Sequence, residues 1–324
     1  MNVPLPEILR HAAALQETNR RVVGCLVVGA RGSTPQSAGA LMIVDDTLGT
    51  LGTIGGGCVE AEVRRRAHGL LSDGTSGVMQ FKLDHDHGWD DGMICGGTLE
   101  IAIGPLPGAA ELRGIADDVD ARHATSVAVT TDSDEGPVAY RLQLPPRERL
   151  YVAGVGHIGQ AAARLAQRLD FEVTIFDDRS ELLERYTPDG VTPQPGDVAE
   201  QLAAAPVDGD TYCLIVTRGH RHDGQALGAV VGRGARYVGM IGSRRKVKVI
   251  FDELVAAGVS REALDRVAAP VGIDVGAVSV EEIAVSIAAQ LVQERARDRG
   301  GSSAPVIREP MQERRGGQAA PGTG

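Results

Sequence analysis

The stretch Val152–Gly159, VAGVGHIG, constrains the fold of this chain more than any other segment. An apolar strand pattern runs into Gly154, Gly156 and Gly159, and a helical pattern that begins near His157 follows. In a nucleotide-binding turn the first glycine permits the tight turn, the second lets a pyrophosphate approach the backbone, and the third lets the helix pack closely on the strand. The free N–H groups at the helix start favour an anion. The segment therefore predicts a Rossmann-type turn.

The residues around this turn extend the pattern. Asp177 ends the next apolar run, FEVTIFD, at about the 20-residue spacing at which a carboxylate bonds a ribose hydroxyl. The runs TYCLIVT, RYVGMI and RVAAPVG follow and alternate with helical patterns. Such alternation is typical of a parallel sheet that helices cover on both faces. We predict a doubly wound parallel sheet in the C-terminal half.

The length of 324 residues suits two domains. The pair Pro145–Pro146 precedes the first strand of the parallel sheet and marks a boundary. We predict a smaller, glycine-rich α+β or α/β domain over residues 1–110 and a connector with a helix and a hairpin over 111–146. The Rossmann-like domain then spans 147–298, and 299–324 has the composition of a disordered tail.

Two motifs place a cysteine directly beside glycines. Their residues are Gly55, Gly56, Gly57 and Cys58 in the first, and Cys95, Gly96 and Gly97 in the second. A soft thiolate suits sulfur chemistry and soft metals, and the start of a helix stabilises a thiolate. Flanking glycines let a bulky group approach the backbone. Alternatively, the glycines only make a tight turn and Cys58 fills space. Cys25 and Cys213 lie in apolar runs, where we expect buried thiols.

A basic turn follows the strand RYVGMI. Ser243 can cap the next helix, and Arg244, Arg245 and Lys246 occupy its first turn. Cations there oppose the helix dipole, so a bound phosphate would account for them. The alternative is a solvated basic turn.

His220 and Asp223 follow the strand TYCLIVT, at the edge where doubly wound sheets bind ligands. Both could contact a ligand, or Asp223 could cap a helix. His85 and His87 lie in the polar stretch DHDHGWDDG, but no third ligand is identifiable, so we predict no metal site.

The composition excludes several classes of protein. The formal charge of −10 and the aromatic content of 3% do not fit nucleic-acid binding. No apolar run is long enough to span a bilayer, and the N-terminus lacks a signal-peptide pattern. We therefore expect no nucleic-acid or membrane partner, a cytoplasmic location and reduced cysteines.

The motifs together resemble the XdhC/CoxI family of accessory proteins for molybdenum hydroxylases. The matching segments are GSTPQSAGALMIV, GTIGGGCVEAEV, DDGMICGGTLEI, VAGVGHIGQAAARLAQRLDFEVTIFDDR, VTRGHRHDGQAL, YVGMIGSRRK and PVGIDVGAVSVEEIAVSIAAQLV. Gln36 departs from the family, which we associate with a basic residue after this proline. We therefore assign no anion contact to that position.

The resemblance implies a chaperone that binds the molybdenum cofactor, of the molybdopterin type, through these site residues. It would protect the cofactor while the metal gains a terminal sulfido ligand, with Cys58 and Cys95 handling sulfur or molybdenum. Delivery would be to a hydroxylase of the xanthine dehydrogenase or CO dehydrogenase type. We also expect a homo-oligomer and a cysteine desulfurase as a partner.

The alternative functions use the Rossmann half. The protein could be an NAD(P)-dependent oxidoreductase that uses the Gly154–Gly159 turn and Asp177, or a ligand-binding regulator with the same fold. An oxidoreductase needs an acid–base residue, and none stands out beyond His220. We therefore favour a maturation factor over an enzyme.

Overall fold

The computed structural model of the protein describes residues 3–83, 96–298 and 306–311. It divides into two compact units, with the boundary between Pro146 and Arg147. The C-terminal strand belongs to the first unit. Among the described residues, no helix is both long enough and apolar enough to cross a membrane.

The first unit is built around an antiparallel sheet with helices on both faces. In chain order its elements are α1 (Leu5–Glu17), β1 (Val22–Arg31), β2 (Leu41–Asp45), β3 (Thr50–Gly52), α2 (Gly57–Asp73), β4 (Gly77–Lys82), β5 (Thr98–Pro105), α3 (Ala109–Asp120), β6 (Thr125–Thr131) and β7 (Val138–Leu144). The main sheet has the order β3-β2-β1-β5-β4. Of the two classes predicted for the N-terminal half, α+β and α/β, the structure has α+β, because the main sheet is antiparallel.

Alternation along the strands explains the layers of this unit. Successive residues of a strand point to opposite faces. In β1, Leu26 lies in the core formed with α1 and α3, whereas Cys25 and Val27 lie in the core formed with α2. The buried face of α2 includes Val59 and Val63, one turn apart. This packing fixes the start of α2, where Cys58 lies.

The second unit contains the parallel sheet. Its elements are β8 (Arg149–Ala153), α4 (His157–Arg168), β9 (Glu172–Asp177), α5 (Ser180–Tyr186), β10 (Thr192–Pro195), α6 (Val198–Ala204), β11 (Thr211–Ile215), α7 (His220–Val230), β12 (Tyr237–Met240), α8 (Arg244–Ala256), α9 (Arg261–Asp265) and α10 (Val280–Asp298). The sheet order is β10-β9-β8-β11-β12, and all of its pairings are parallel. The predicted Rossmann-like doubly wound sheet is confirmed.

The edges of the parallel sheet differ from the prediction. The fifth strand is β10, TPQP, which pairs with β9, and not the run RVAAPVG. Prolines are tolerated on an edge strand because one side of that strand needs no N–H donors. The run RVAAPVG contributes only a bridge between Ala268 and Gly239.

The segment 111–146 has the predicted helix and hairpin and is part of the first unit, and the predicted tail contains a strand. The segment 111–146 forms most of α3 and the β6–β7 hairpin, and Leu112, Val127 and Leu142 lie in the core of the first unit. The tail forms a strand, β13 (Val306–Pro310), which pairs antiparallel with β7. Val306 packs against the same core. The prediction of disorder is therefore wrong for Val306–Pro310, and the rest of the tail lies outside the described residues. The composition of 299–324 as a whole is polar, so a prediction from composition does not reveal this short strand.

A buried ion cluster joins α10 to the start of the parallel sheet. The Glu148 carboxylate accepts a hydrogen bond from Tyr212 Oη at 3.1 Å and pairs with the Arg295 guanidinium. Arg236 approaches to 3.8 Å. The Arg295 guanidinium also lies 4.2 Å from the centroid of the Phe171 ring. Because these groups are mostly removed from water, each depends on the others for compensation.

We expect Glu148→Ala to destabilise the second unit by about 3 to 5 kcal/mol, because it leaves the Arg295 charge and the Tyr212 hydroxyl without their carboxylate. Urea unfolding of the full chain measures this. Glu262→Ala, which removes the exposed pair with Arg266, is the control and should change little. Equal effects of the two variants would contradict the anchoring role.

Candidate functional site

The triple-glycine loop before α2 needs its glycines for backbone conformation. Gly55, Gly56 and Gly57 have φ values of 126°, 76° and 62°, in the region that side chains disfavour. A Cβ on Gly56 or Gly57 would meet nothing within 4 Å. Any other residue in this loop would therefore be strained, although no neighbouring atom crowds Gly56 or Gly57. The loop leaves open space beside the next residue, Cys58.

A carboxylate inside α2 holds this loop in place. Glu60 Oε1 accepts hydrogen bonds from the Thr53 hydroxyl, from Ile54 N at 3.0 Å and from Gly56 N at 2.9 Å. Burial raises the pKa of Glu60, but these hydrogen bonds outweigh it and leave the pKa below its usual value. The ionised carboxylate resembles that of a capping box, one position further into the helix.

Cys58 is the second residue of α2 and is half-buried. Its thiol is not part of a disulfide. The positive end of the helix dipole lies beside it and favours a thiolate over a thiol. Cys25 and Cys213 are fully buried, as predicted. Burial raises the pKa of the Cys213 thiol to about 12 and also raises that of Cys25, so both remain protonated near neutral pH.

The two glycines of the second motif, Gly96 and Gly97, lie near the first motif. A Cβ on Gly97 would stand 2.2 Å from Ser33 O, and Gly96 forms a β-bridge with Ser33. A Cβ on Gly55 would stand 2.7 Å from Pro35 Cγ. The short segment from Ser33 to Pro35 therefore contacts both motifs and brings their glycines to one edge of the sheet.

Some predicted residues fall outside this description. Cys95, His85 and His87 lie outside the described residues. Gln36, the departure from the family pattern, lies beside the first motif, with its Cγ 3.7 Å from where a Cβ on Gly55 would be. Within the described residues, no group of three or more His, Cys, Asp or Glu side chains could hold a metal ion.

The three Rossmann glycines have different surroundings. Gly154 has a φ of 117°, and its Cβ would stand 2.6 Å from Val216 O. A Cβ on Gly159 would stand 2.0 Å from Gly154 O. Gly156 has an ordinary φ of −62°, and its Cβ would meet nothing within 4 Å. The fold therefore requires Gly154 and Gly159, whereas the space at Gly156 is open to a ligand beside the exposed His157.

We expect Gly156→Ser to fold with unchanged or slightly higher stability, because serine is a favoured N-cap and the space is open. Gly159→Ser should be destabilised by several kcal/mol, because its side chain collides with backbone that cannot yield. Thermal unfolding of both variants distinguishes the positions. If both variants lose stability equally, close packing of the helix would account for the presence of all three glycines. The interpretation that Gly156 leaves space for a ligand would then be wrong.

Other groups of the protein fill the hydrogen-bond acceptor positions of the Asp177 carboxylate. Its Oδ2 accepts from Val155 N at 2.8 Å and from Arg179 Nη2 at 2.7 Å. Its Oδ1 accepts from Arg179 N at 3.0 Å and from Arg179 Nε at 2.8 Å. A carboxylate has about four acceptor positions, so none is left for a ribose hydroxyl. Burial raises the pKa of Asp177, but these bonds outweigh burial and lower the pKa to about 2.

We expect Arg179→Ala to free two acceptor positions of Asp177 and to raise its pKa toward 3.8. NAD, added as a calorimetric probe, should bind the variant more tightly than the wild type. The lowered pKa of Asp177 stabilises the folded wild type relative to the variant by about 1 kcal/mol when the carboxylate is ionised. This difference in the free energy of unfolding should disappear as the pH falls from about 4 to 2, because the carboxylate becomes protonated. An unchanged advantage at pH 2 would contradict the assigned hydrogen bonds.

The predicted basic turn divides into two parts. Ser243 caps α8, accepting from Lys246 N at 3.3 Å, as predicted. Lys246 turns inward and pairs with Asp223, whose side chain is fully buried. Arg244 and Arg245 remain exposed. Lys246 is therefore committed to an internal pair in this structure, and the two arginines are the cations that face solvent.

Asp223 holds the loop before α7. Its Oδ1 accepts from Thr217 N at 3.0 Å and from Thr217 Oγ1 at 2.6 Å. The N-cap of α7 is Gly219, and the exposed His220 is the first residue of the helix. Asp223 is therefore a positioning residue for this turn, and His220 is the side chain that a ligand can reach.

Three turns lie side by side at the carboxyl edge of the parallel sheet. Val216 N donates to Ala153 O, and Ile241 N donates to Ile215 O, each at 2.9 Å. The starts of α4, α7 and α8 therefore share one edge, at the point where the strand order reverses between β8 and β11. Ligands bind at such switch points in open α/β sheets. Together these turns expose His157, His220, Arg244 and Arg245.

Two family models match the chain. The model of the XdhC Rossmann domain matches residues 150–291, and that of the XdhC and CoxI family matches residues 15–82. The chain belongs to the XdhC and CoxI family. Together the two matched ranges cover well over half of its length.

Three curated proteins are similar to this XdhC and CoxI family member. The uncharacterized Escherichia coli K12 protein YqeB is 26% identical over 91% of the chain, which spans 47% of the length of YqeB. A Bacillus subtilis 168 protein described as a probable xanthine dehydrogenase subunit is 23% identical, covering 88% of this chain and 96% of that protein. The E. coli K12 molybdenum cofactor insertion chaperone PaoD is 24% identical, and the match covers 92% of this chain and 91% of PaoD.

A solved structure supports the fold. The crystal structure of a Bacillus halodurans protein, described as a xanthine dehydrogenase, matches 93% of this chain and 98% of that chain. The TM-score is 0.78 at 22% sequence identity. This likeness shows that the two proteins share a fold.

The sequence patterns did not reveal the residues that hold the loops. Glu60 is preceded by Thr53 and a glycine run, and this combination indicates a carboxylate that reaches back from a helix. Arg179 stands two residues after Asp177, close enough for a local ion pair. Both signals were available in the sequence, but the nucleotide fingerprint alone assigned Asp177 to a ligand.

Proposed function

We propose that this protein binds the molybdenum cofactor as cargo, holds it during sulfuration and delivers it to a molybdenum hydroxylase of the xanthine dehydrogenase or CO dehydrogenase type. Membership of the XdhC and CoxI family and the similarity to PaoD support the proposal. A cysteine desulfurase as sulfur donor, a homo-oligomeric assembly and a cytoplasmic location belong to the same proposal.

The observation that carries the proposal is the position of Cys58. Its thiol lies at the positive end of α2, next to Gly56 and Gly57, where there is open space. The cofactor presents molybdenum bound by a dithiolene, a soft centre that thiolate ligands suit. A half-buried thiol beside bare backbone is accessible to a large planar ligand, whereas Cys25 and Cys213 are enclosed.

Other residues of the first unit would prepare this site. Glu60 fixes the glycine loop by accepting hydrogen bonds from its N–H groups, so the loop is ordered before cargo arrives and less entropy is lost on binding. The glycines of the second motif are held beside the same edge through Ser33. That Cys95 works together with Cys58 stays a prediction.

The second unit would supply an anion contact. We propose that Gly156, His157 and His220 and the cations Arg244 and Arg245 bind a phosphate group of a ligand, with helix N–H groups as donors. In the proposed roles, Gly154, Gly159, Asp177, Asp223, Ser243 and Lys246 shape these turns.

The alternative of an NAD(P)-dependent oxidoreductase has less support. The acceptor positions of Asp177 are taken by Val155 and Arg179. A dinucleotide with an unmodified ribose would have to displace an ion pair that is mostly buried, which costs free energy.

We expect Cys58→Ala to abolish or strongly reduce activation of a co-expressed xanthine dehydrogenase-type enzyme while the fold remains intact. Hydroxylase activity, together with the molybdenum and pterin that co-purify with the chain, measures the effect. Cys213→Ala is the matched control because it removes a thiol that is buried and protonated. Full activation by Cys58→Ala would overturn the role of this thiol.

A further inference from the structure

A pocket in the second unit lies away from the carboxyl edge. It has a volume of about 580 Å3 and lies between the C-terminal half of α4 and the segment 185–189, which includes the end of α5. Arg164 and Arg168 come from α4, and Arg185, Tyr186 and Thr187 come from the other side. At 1.5 Å per residue, Arg164 and Arg168 lie about 10 and 16 Å along α4 from its start. The pocket is therefore separate from the phosphate contact proposed at the helix starts.

The three guanidinium groups of this pocket have no carboxylate partners. In the described part of the second unit, Arg164, Arg168 and Arg185 form no ion pair, although carboxylates are abundant in this acidic chain. Most other arginines of the unit are paired with carboxylates: Arg147, Arg149, Arg179, Arg218, Arg236, Arg261, Arg266, Arg295 and Arg297. Like charges four residues apart on α4 also repel. An anion between them would remove that repulsion.

The wall of the pocket also includes Thr187 and Asp189. The Thr187 hydroxyl is buried and has no hydrogen-bond partner among the described residues. This oxygen has almost no accessible surface, so it does not face the pocket, and a buried hydroxyl without a partner is destabilising. Asp189 is the acidic residue of the wall, and its backbone carbonyl accepts from Gln167 Nε2 at 2.9 Å. Three guanidinium groups and one carboxylate leave a net charge of about two positive units.

The chemistry of the wall indicates the class of ligand. Guanidinium groups bind phosphate oxygens through paired hydrogen bonds. The Arg185 guanidinium lies 5.1 Å from the centroid of the Tyr186 ring, and this tyrosine is 39% exposed, so it offers a face for stacking. The volume is within the range of small-molecule sites and exceeds what a phosphate alone needs. We propose that this arginine pocket binds a phosphorylated small molecule with a planar ring, such as a nucleoside diphosphate.

Calorimetry on the full chain with inorganic pyrophosphate and with ADP tests the proposal. Arg164→Ala/Arg168→Ala should weaken the binding of both probes at least tenfold. Each variant is compared in the background Arg244→Ala/Arg245→Ala, which removes the phosphate contact proposed at the carboxyl edge. In that background Arg261→Ala/Arg266→Ala removes the same charge at α9, so it is the matched control for long-range electrostatics and should leave this binding nearly unchanged. The absence of binding to the wild type, or an equal or greater loss in the control, would overturn the site.

Two further variants separate the roles within the pocket. Tyr186→Leu should weaken the binding of ADP several-fold and leave the binding of pyrophosphate unchanged, because it removes only the aromatic ring on which a planar group can stack. Thr187→Val should leave the binding of both probes unchanged, because the hydroxyl does not face the pocket, and should raise the melting temperature without ligand, because it removes the unpartnered hydroxyl. If Thr187→Val lost as much binding as Arg164→Ala/Arg168→Ala, the assignment of the binding to the guanidinium groups would be contradicted.

Discussion

Hydrogen bonds from backbone N–H groups to wholly or partly buried carboxylates hold the loops beside Cys58 and at the carboxyl edge of the parallel sheet. Glu60 holds the glycine loop beside Cys58, and Asp223 holds the turn before His220. Asp177 holds the Rossmann turn through Val155 N. Glycine-rich loops lose much entropy when they are ordered, and ionised acceptors bind N–H donors more strongly than neutral ones. These anchors keep each loop in a single conformation that presents its open face.

The sequence predicted the architecture well because hydrophobic periodicity and glycine spacing are local signals. The strands β8, β9, β11 and β12, the start of α4 and the burial of Cys213 followed from short stretches of chain. The edge strands did not follow from such stretches, because the pairing of an edge strand depends on which strand lies beside it in the fold. The proline-containing β10 and the short β13 are strands only through their partners β9 and β7, and the run RVAAPVG stays irregular beside β12.

The candidate sites were harder to predict than the fold for a related reason. The sequence identifies which residues could bind a ligand but does not show which of them the protein already uses. Asp177 and Lys246 have the residue types and positions of ligand contacts, yet Arg179 and Asp223 occupy them. The exposed members of the same motifs, Gly156 and the arginine pair on α8, remain accessible. Separating internal from available polar groups requires distances between segments that are remote in the chain.

Exposed cations are informative in an acidic protein because carboxylates are rarely far away. An arginine that stays unpaired must face solvent or an incoming anion, and the chain has a net charge of −10. In the described second unit, unpaired arginines occur both at the start of α8 and along α4. A helix start also supplies N–H donors, whereas the middle of a helix supplies none. The site on α4 must therefore rely on side chains alone, and the cluster of Arg164, Arg168 and Arg185 supplies them.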